Sequence, residues 1–225
     1  LVFASLLGLA GAPRNAPRLR GGALASAALA ASCALLALAA GWRALGTRAL
    51  AQATARGEPQ LRLAALDRVV AAHPYLPEAW RERAAIWWAL SGRPGGPIAS
   101  RLERAEQDVR RALGLRPRWA EAWTDLGWLL QARGDRSGAA EAFARAGALD
   151  PSHPHVGLAR AAFLAATEGQ AAAIEALRAL RQANPQLGLG YVLPVARRLT
   201  SDRALLLRLT DGSEAERALV EQGRE

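Results

Sequence analysis

The chain has 225 residues, 51% of them hydrophobic and 5% aromatic, which is enough for one or two domains with a buried core. Alanine makes up roughly a quarter of it, and because Ala favours helices and disfavours strands an all-β fold is excluded. A single cysteine, Cys33, excludes an internal disulfide framework and a cysteine-based zinc site, while the net charge of +9 comes from arginine alone, since there is no lysine.

Residues 1–20 are an apolar and Arg-rich segment: residues 1–13 are apolar but too short to span a bilayer, and Arg14, Arg18 and Arg20 follow. The chain begins at Leu1 and contains no methionine, which leaves open a non-standard start, processing, or a longer parent chain. Residues 21–42 then run for 22 residues without a charge. As a helix they would extend about 33 Å at about 1.5 Å per residue, the thickness of a hydrocarbon core. Trp42 and Arg43 close the stretch as an interfacial aromatic and a charge do. The run is longer than the apolar core of a secretory signal, and it lacks the polar face of a soluble amphipathic helix. It is therefore expected to be a single transmembrane helix. Gly22, Ser26, Ala30 and Ala34 fall four apart on one face, the spacing that lets helices approach closely in lipid, which suggests packing against other membrane helices. If residues 1–13 are a membrane-dipping or truncated helix, the Arg-rich loop after them is cytoplasmic, and the rest of the chain lies on the periplasmic side of a bacterial inner membrane.

Residues 43–76 have the length of a linker or divergent repeat. They are broken at Gly57-Glu58-Pro59, with Leu63, Leu66, Val69 and Val70 spaced along one helix. Beyond them, Pro117, Pro151 and Pro185 are each separated by 34 residues, a period that signals a helical array. The clearest unit, residues 120–153, carries Trp123, Leu126, Gly127, Leu130, Ala139, Phe143, Ala146 and Pro151. Trp123, Leu126 and Leu130 form one apolar stripe on a first helix. Gly127 admits a close partner helix, Gly134-Asp135 breaks the chain, and Ala139, Phe143 and Ala146 present a small–large–small face on a second helix.

This set of residues resembles the tetratricopeptide repeat (TPR) family, with Leu130 in place of the commoner tyrosine. Residues 77–119 and 154–187 are similar units with departures. The first holds Trp80, Ala84 and Trp87, then a Gly/Pro-rich insertion at Ser91–Pro97, then Ala105, Val109 and Ala112. The second holds Gly157 where a bulky residue is expected, which predicts looser packing there. Residues 188–225 are expected to cap the array, with Pro194 interrupting a helix, Leu205, Leu206, Leu207 and Leu209 packed, and Ser213 capping a last short helix.

The expected fold class is thus all-α, an N-terminal transmembrane helix followed by a TPR-type helix-turn-helix solenoid over residues 77–187. The resemblance implies a concave groove lined by the first helices, at Glu78, Arg81, Ala85 and Trp88 and then Glu121, Thr124, Trp128 and Gln131. Trp88, Trp119 and Trp128 fall outside the core positions of the repeat, and tryptophan is enriched in interface hot spots, so Trp88 and Trp128 are the foremost contact candidates. The Lys/Asn clamp with which some family members grip a peptide C-terminus is absent.

Catalytic and metal chemistry find no frame. The histidines His73, His153 and His155 sit beside prolines without a ligand set, no phosphate-binding loop occurs, and no nucleophile motif is present. No cofactor is expected. Arg101, Arg104, Arg110, Arg111, Arg116 and Arg118 concentrate positive charge. Because Glu103, Glu106 and Asp108 interrupt them, anionic lipid or an acidic partner fits better than nucleic acid.

The sequence reading is therefore a non-catalytic membrane-anchored scaffold, an accessory subunit. It would contact the lipid bilayer, and it would engage other membrane protein subunits through its transmembrane helix and its groove. The larger complex could serve envelope biogenesis, secretion, or respiratory or photosynthetic energy conversion. Two other readings stay open: the C-terminal TPR portion of an O-antigen ligase- or polymerase-like polytopic membrane enzyme, and a soluble periplasmic peptide-binding adaptor.

Overall fold

The computed structural model describes residues 21–55, 57–92 and 98–221, with side chains from residue 28 onward. The segment 1–20, residues 93–97 of the Gly/Pro-rich insertion, and the side chains of Gly22 and Ser26 lie outside the described residues. Among the described residues there are eleven helices and no strand: α1 (Gly21–Thr54), α2 (Pro59–Ala72), α3 (Pro77–Ser91), α4 (Ile98–Leu115), α5 (Ala120–Ala132), α6 (Arg136–Leu149), α7 (Pro154–Thr167), α8 (Gln170–Ala183), α9 (Leu189–Leu199), α10 (Arg203–Leu207) and α11 (Glu214–Glu221).

The chain divides into two compact units, residues 1–45 and 46–225. In the first, Leu29, Leu35, Leu36, Leu38, Trp42 and Leu45 of α1 are all more than half exposed, and Ala30 and Ala34 beside them are exposed too. The only polar side chain between residues 28 and 41 besides Cys33 is Ser32, and its hydroxyl donates to the Ala28 carbonyl at 2.8 Å. By length and composition this helix is long and apolar enough to cross a bilayer.

In the second unit, helices pair in sequence order, α3 with α4, α5 with α6 and α7 with α8. The local causes are regular. Pro74, Pro117, Pro151 and Pro185 each stand two residues beyond the end of a helix, where proline cannot continue the hydrogen-bond ladder. Pro59, Pro77 and Pro154 open helices, where the missing N–H costs nothing. Between α5 and α6, Gly134 adopts φ +87°, and Asp135 then caps α6 by accepting the Gly138 N–H at 2.9 Å. These hydrogen bonds from Gly138 and then Ser137 hold the Asp135 carboxyl below the ordinary carboxylate range.

Three larger cores and a small one of Ala120, Ala146 and Val156 are found among the described residues of the second unit. Ala53, Leu66, Val69, Val70 and Ile86 join the end of α1 to α2 and α3. Val109, Leu126, Leu129, Phe143 and Phe163 centre the middle of the array. Ile174, Leu177, Leu180, Val192, Leu206 and Leu209 close it at the C-terminal end.

Trp80 and Trp123 occupy equivalent places: each indole N–H donates at 2.9 Å to the carbonyl of the proline six residues earlier, Pro74 and Pro117. The corresponding residue of the next unit is Gly157. Its vacancy is not loose, because the Leu180 methyl groups lie 2.7 Å from where a Cβ would stand, so a side chain from α8 fills the space a tryptophan takes elsewhere. Gly127 is closed in the same way by the Phe143 ring, 2.9 Å from a built Cβ. Gly127→Ala should therefore destabilise the array by about 1–3 kcal/mol of overpacking, reduced by the roughly 1 kcal/mol helix-propensity gain. Urea-unfolding midpoints of the two proteins check this.

Two further expectations are corrected. Pro194 does not interrupt a helix. It lies inside α9, which runs on through it to Leu199, and its ring is exposed to solvent. Trp119 is not a surface tryptophan: it is 7% exposed and belongs to the central core. Ser213 does accept the Glu216 N–H at 3.3 Å, at the start of α11.

Candidate functional site

The site is a cavity of about 410 Å³ between α3 and α5, lined by Arg81, Glu82, Ala84, Ala85, Trp88, Val109, Asp125, Trp128 and Leu129. On α3 it is lined by the small residues Ala84 and Ala85, and on α5 by the large Trp128. The floor is Val109 of α4 together with Leu129. Trp88 is 38% exposed at the rim. Trp128 is half-buried, and its ring meets Phe143 edge-on at a centroid distance of 5.0 Å, so the α6 core fixes its orientation.

The polar part of the lining is uneven. Arg81 Nε donates to Asp125 Oδ2 at 2.6 Å, and the Arg81 guanidinium stacks 5.1 Å above the Trp119 ring. Glu82 is 4.0 Å from Arg62 and 40% exposed. The cavity therefore holds one arginine and two carboxylates.

Of the groove residues expected from sequence, the cavity brings together Arg81, Ala85, Trp88 and Trp128. Glu78 stands at the start of α3 with Arg116 3.9 Å away, and Glu121 at the start of α5 with His153 3.5 Å away. Both lie off the cavity. Gln131 is half-buried, with its Oε1 shielded and without a hydrogen-bond partner among the described residues. Thr124 is a correction: it is 0% exposed, its hydroxyl donates to the Ala120 carbonyl at 3.1 Å, and no partner can reach it. The side chain faces inward because the neighbouring helix packs over that position.

Asp125 and Glu82 were missed in the sequence. The signal was present: they stand 43 residues apart at equivalent places of successive units, as Glu78 and Glu121 do.

Arg83 of α3, outside the cavity lining, bridges three helices. Its Nε and Nη2 donate to Asp108 Oδ2 and Oδ1 at 2.8 and 2.7 Å, its Nη1 donates to Asp67 at 2.9 Å, and its guanidinium lies 4.8 Å over Trp80. Burial pushes the Asp108 carboxyl above the ordinary range against the pull of Arg83. The bond to Asp108 in turn holds the Arg83 guanidinium charged.

The basic concentration on and after α4 is largely committed within the chain. Arg101 donates to the Leu90 carbonyl and Arg110 to Glu106, while Arg104, Arg111 and Arg116 lie over Trp87, Trp80 and Trp119. Arg118 alone of the six is exposed without such a contact among the described residues. No group of three or more His, Cys, Asp or Glu side chains converges among the described residues.

No family model and no curated protein matches the chain. Solved structures do. A thermophilic TPR protein of Thermus thermophilus superposes with a TM-score of 0.55 at 19% identity, over 66% of this chain and 73% of that one. A MamA protein gives 0.55 at 15% identity, over 80% of this chain and 92% of that one. An O-GlcNAc transferase of Thermobaculum terrenum gives 0.51 at 20% identity over 64% of this chain, which spans only 26% of the transferase. Paired helices closed by periodic prolines, a Gly127–Phe143 contact within a pair, and these superpositions together give this chain the tetratricopeptide-repeat fold.

Proposed function

We propose that the chain is a non-catalytic scaffold, anchored in a bacterial inner membrane by α1, whose helical array binds another polypeptide in the groove between α3 and α5. It would serve a larger membrane complex as an accessory subunit. The observation that carries the reading is a partly exposed tryptophan pair, Trp88 and Trp128, around a preformed cavity. Tryptophan on a concave face is the side chain most often found at the centre of binding interfaces. The membrane part rests on the uncovered leucines of α1 and on the charge-free run of residues 21–42. A periplasmic array follows if the Arg-rich segment before Gly21 is cytoplasmic.

The test is purification of the full chain from native membranes in mild detergent, wild type beside the Trp88→Ala/Trp128→Ala variant. The wild-type chain should resist carbonate extraction and elute with a stoichiometric polypeptide that the variant loses. Release by carbonate would remove the anchor. Elution alone, or a partner indifferent to both tryptophans, would remove the groove.

A further inference from the structure

We propose that the cavity between α3 and α5 receives a cationic side chain, arginine or lysine, from an extended segment of the partner polypeptide. This rests on the scaffold reading above and specifies the chemistry of its groove.

The first observation is how the array treats its other tryptophans. Trp80 lies under Arg83 at 4.8 Å, Trp87 under Arg104 at 4.8 Å, Trp119 under Arg116 at 4.8 Å and Trp123 under Arg145 at 4.5 Å. Each of these rings is covered by a guanidinium of this chain. Trp88 and Trp128, the two that line the cavity, carry no arginine among the described residues. An indole face in a partly desolvated recess attracts a cation through its quadrupole.

The second observation is charge. Asp125 gives Arg81 only Oδ2, which leaves Oδ1 without a partner among the described residues, and Glu82 has only a loose contact with Arg62. Arg81 is committed to Asp125 and Trp119. The charged groups facing the cavity are Arg81, Glu82 and Asp125, a net negative site on a chain of net charge +9. The third is size: about 410 Å³ lies near the lower end of ligand pockets, which run from about 300 to 1,000 Å³. That admits one long side chain with its flanking backbone and excludes a folded element.

The overall charge makes the test discriminating, because a nonspecific electrostatic contact with this chain would favour acidic peptides and repel basic ones. Dye-labelled Gly/Ser nonapeptides carrying two arginines, two leucines or two glutamates at the same positions are titrated with the full chain in mild detergent and followed by fluorescence anisotropy. The arginine peptide should bind about tenfold tighter than either counterpart. Trp88→Ala and Trp128→Ala should each weaken it about fivefold, and the near-isosteric Glu82→Gln should weaken it and flatten its salt dependence. Tyr75→Ala, at an exposed residue away from the cavity, should change nothing.

Equal or tighter binding of the leucine or glutamate peptide overturns the proposal, as does an arginine affinity indifferent to Trp88, Trp128 and Glu82. The two readings fail separately. A co-purifying partner that depends on the tryptophan pair, with no arginine preference in the peptides, sinks the cation pocket and keeps the scaffold. An arginine preference without any such partner does the reverse.

Discussion

Arg83→Met is expected to lower the unfolding free energy by about 3–5 kcal/mol, the cost of leaving a buried charge without its counterion. Asp108 is only 6% exposed, and Arg83 is the one cation that meets both of its oxygens. With Arg83 gone, burial and the nearby Asp67 both push the Asp108 carboxyl up, and nothing opposes them. A folded-state pKa raised above the unfolded value contributes stability that is present below the unfolded carboxylate range and lost as pH rises through the folded value. The deficit of Arg83→Met should therefore shrink on going from about pH 8 to about pH 5, the direction that favours the protonated carboxyl. Adding Asp108→Asn should recover part of the loss at neutral pH, because the neutral amide no longer needs a cation. Urea midpoints of the full chain in detergent, wild type, single and double variant at both pH values, measure all of this. A pH-independent deficit would show that Arg83 acts through its stacking on Trp80 alone.

Phe143→Ala is expected to cost about 3–5 kcal/mol, the range for removing a buried aromatic side chain. The ring is 1% exposed and lies within 2.9 Å of where Gly127 would carry a Cβ. It meets Trp128 edge-on at 5.0 Å and Phe163 at 4.8 Å, and so ties α5, α6 and α7 together. Gly127 has no side chain with which to fill the void, and the buried neighbours of Phe143 on α6, Ala139, Ala142 and Ala146, are too short to do so. The effect should also reach the cavity, because Phe143 backs the Trp128 wall. In near-ultraviolet circular dichroism the tryptophan bands should lose intensity at temperatures where far-ultraviolet helicity is retained. Intact tryptophan bands would show that Trp128 is held by α5 alone.

Much of the helical layout was legible before any coordinates. Prolines at fixed intervals, Gly134-Asp135 and the Trp123/Leu126/Leu130 stripe act through local geometry: an unavailable N–H, a positive φ, a repeat of helical pitch. The family resemblance placed Arg81, Ala85, Trp88 and Trp128 on the first helices of two units, and these four line one cavity. Thr124 followed the same rule and failed, because its register was right while the neighbouring helix covered it. Gly157 reads as a gap in the sequence, but Leu180, more than twenty residues away along the chain, occupies the space.

The sequence by itself determined the proline-marked helix ends, the 34-residue period and the charge-free run of residues 21–42, all properties of local sequence, whereas α1 runs on past Trp42 to Thr54. The tertiary structure decided which tryptophans are covered and which are open. Trp80, Trp87, Trp119 and Trp123 are capped by arginines at 4.5–4.8 Å, while Trp88 and Trp128 border the cavity. That division depends on how far a guanidinium reaches from its own stretch of backbone to a ring it meets only in the folded chain. A repeating pattern along the chain does not encode that distance.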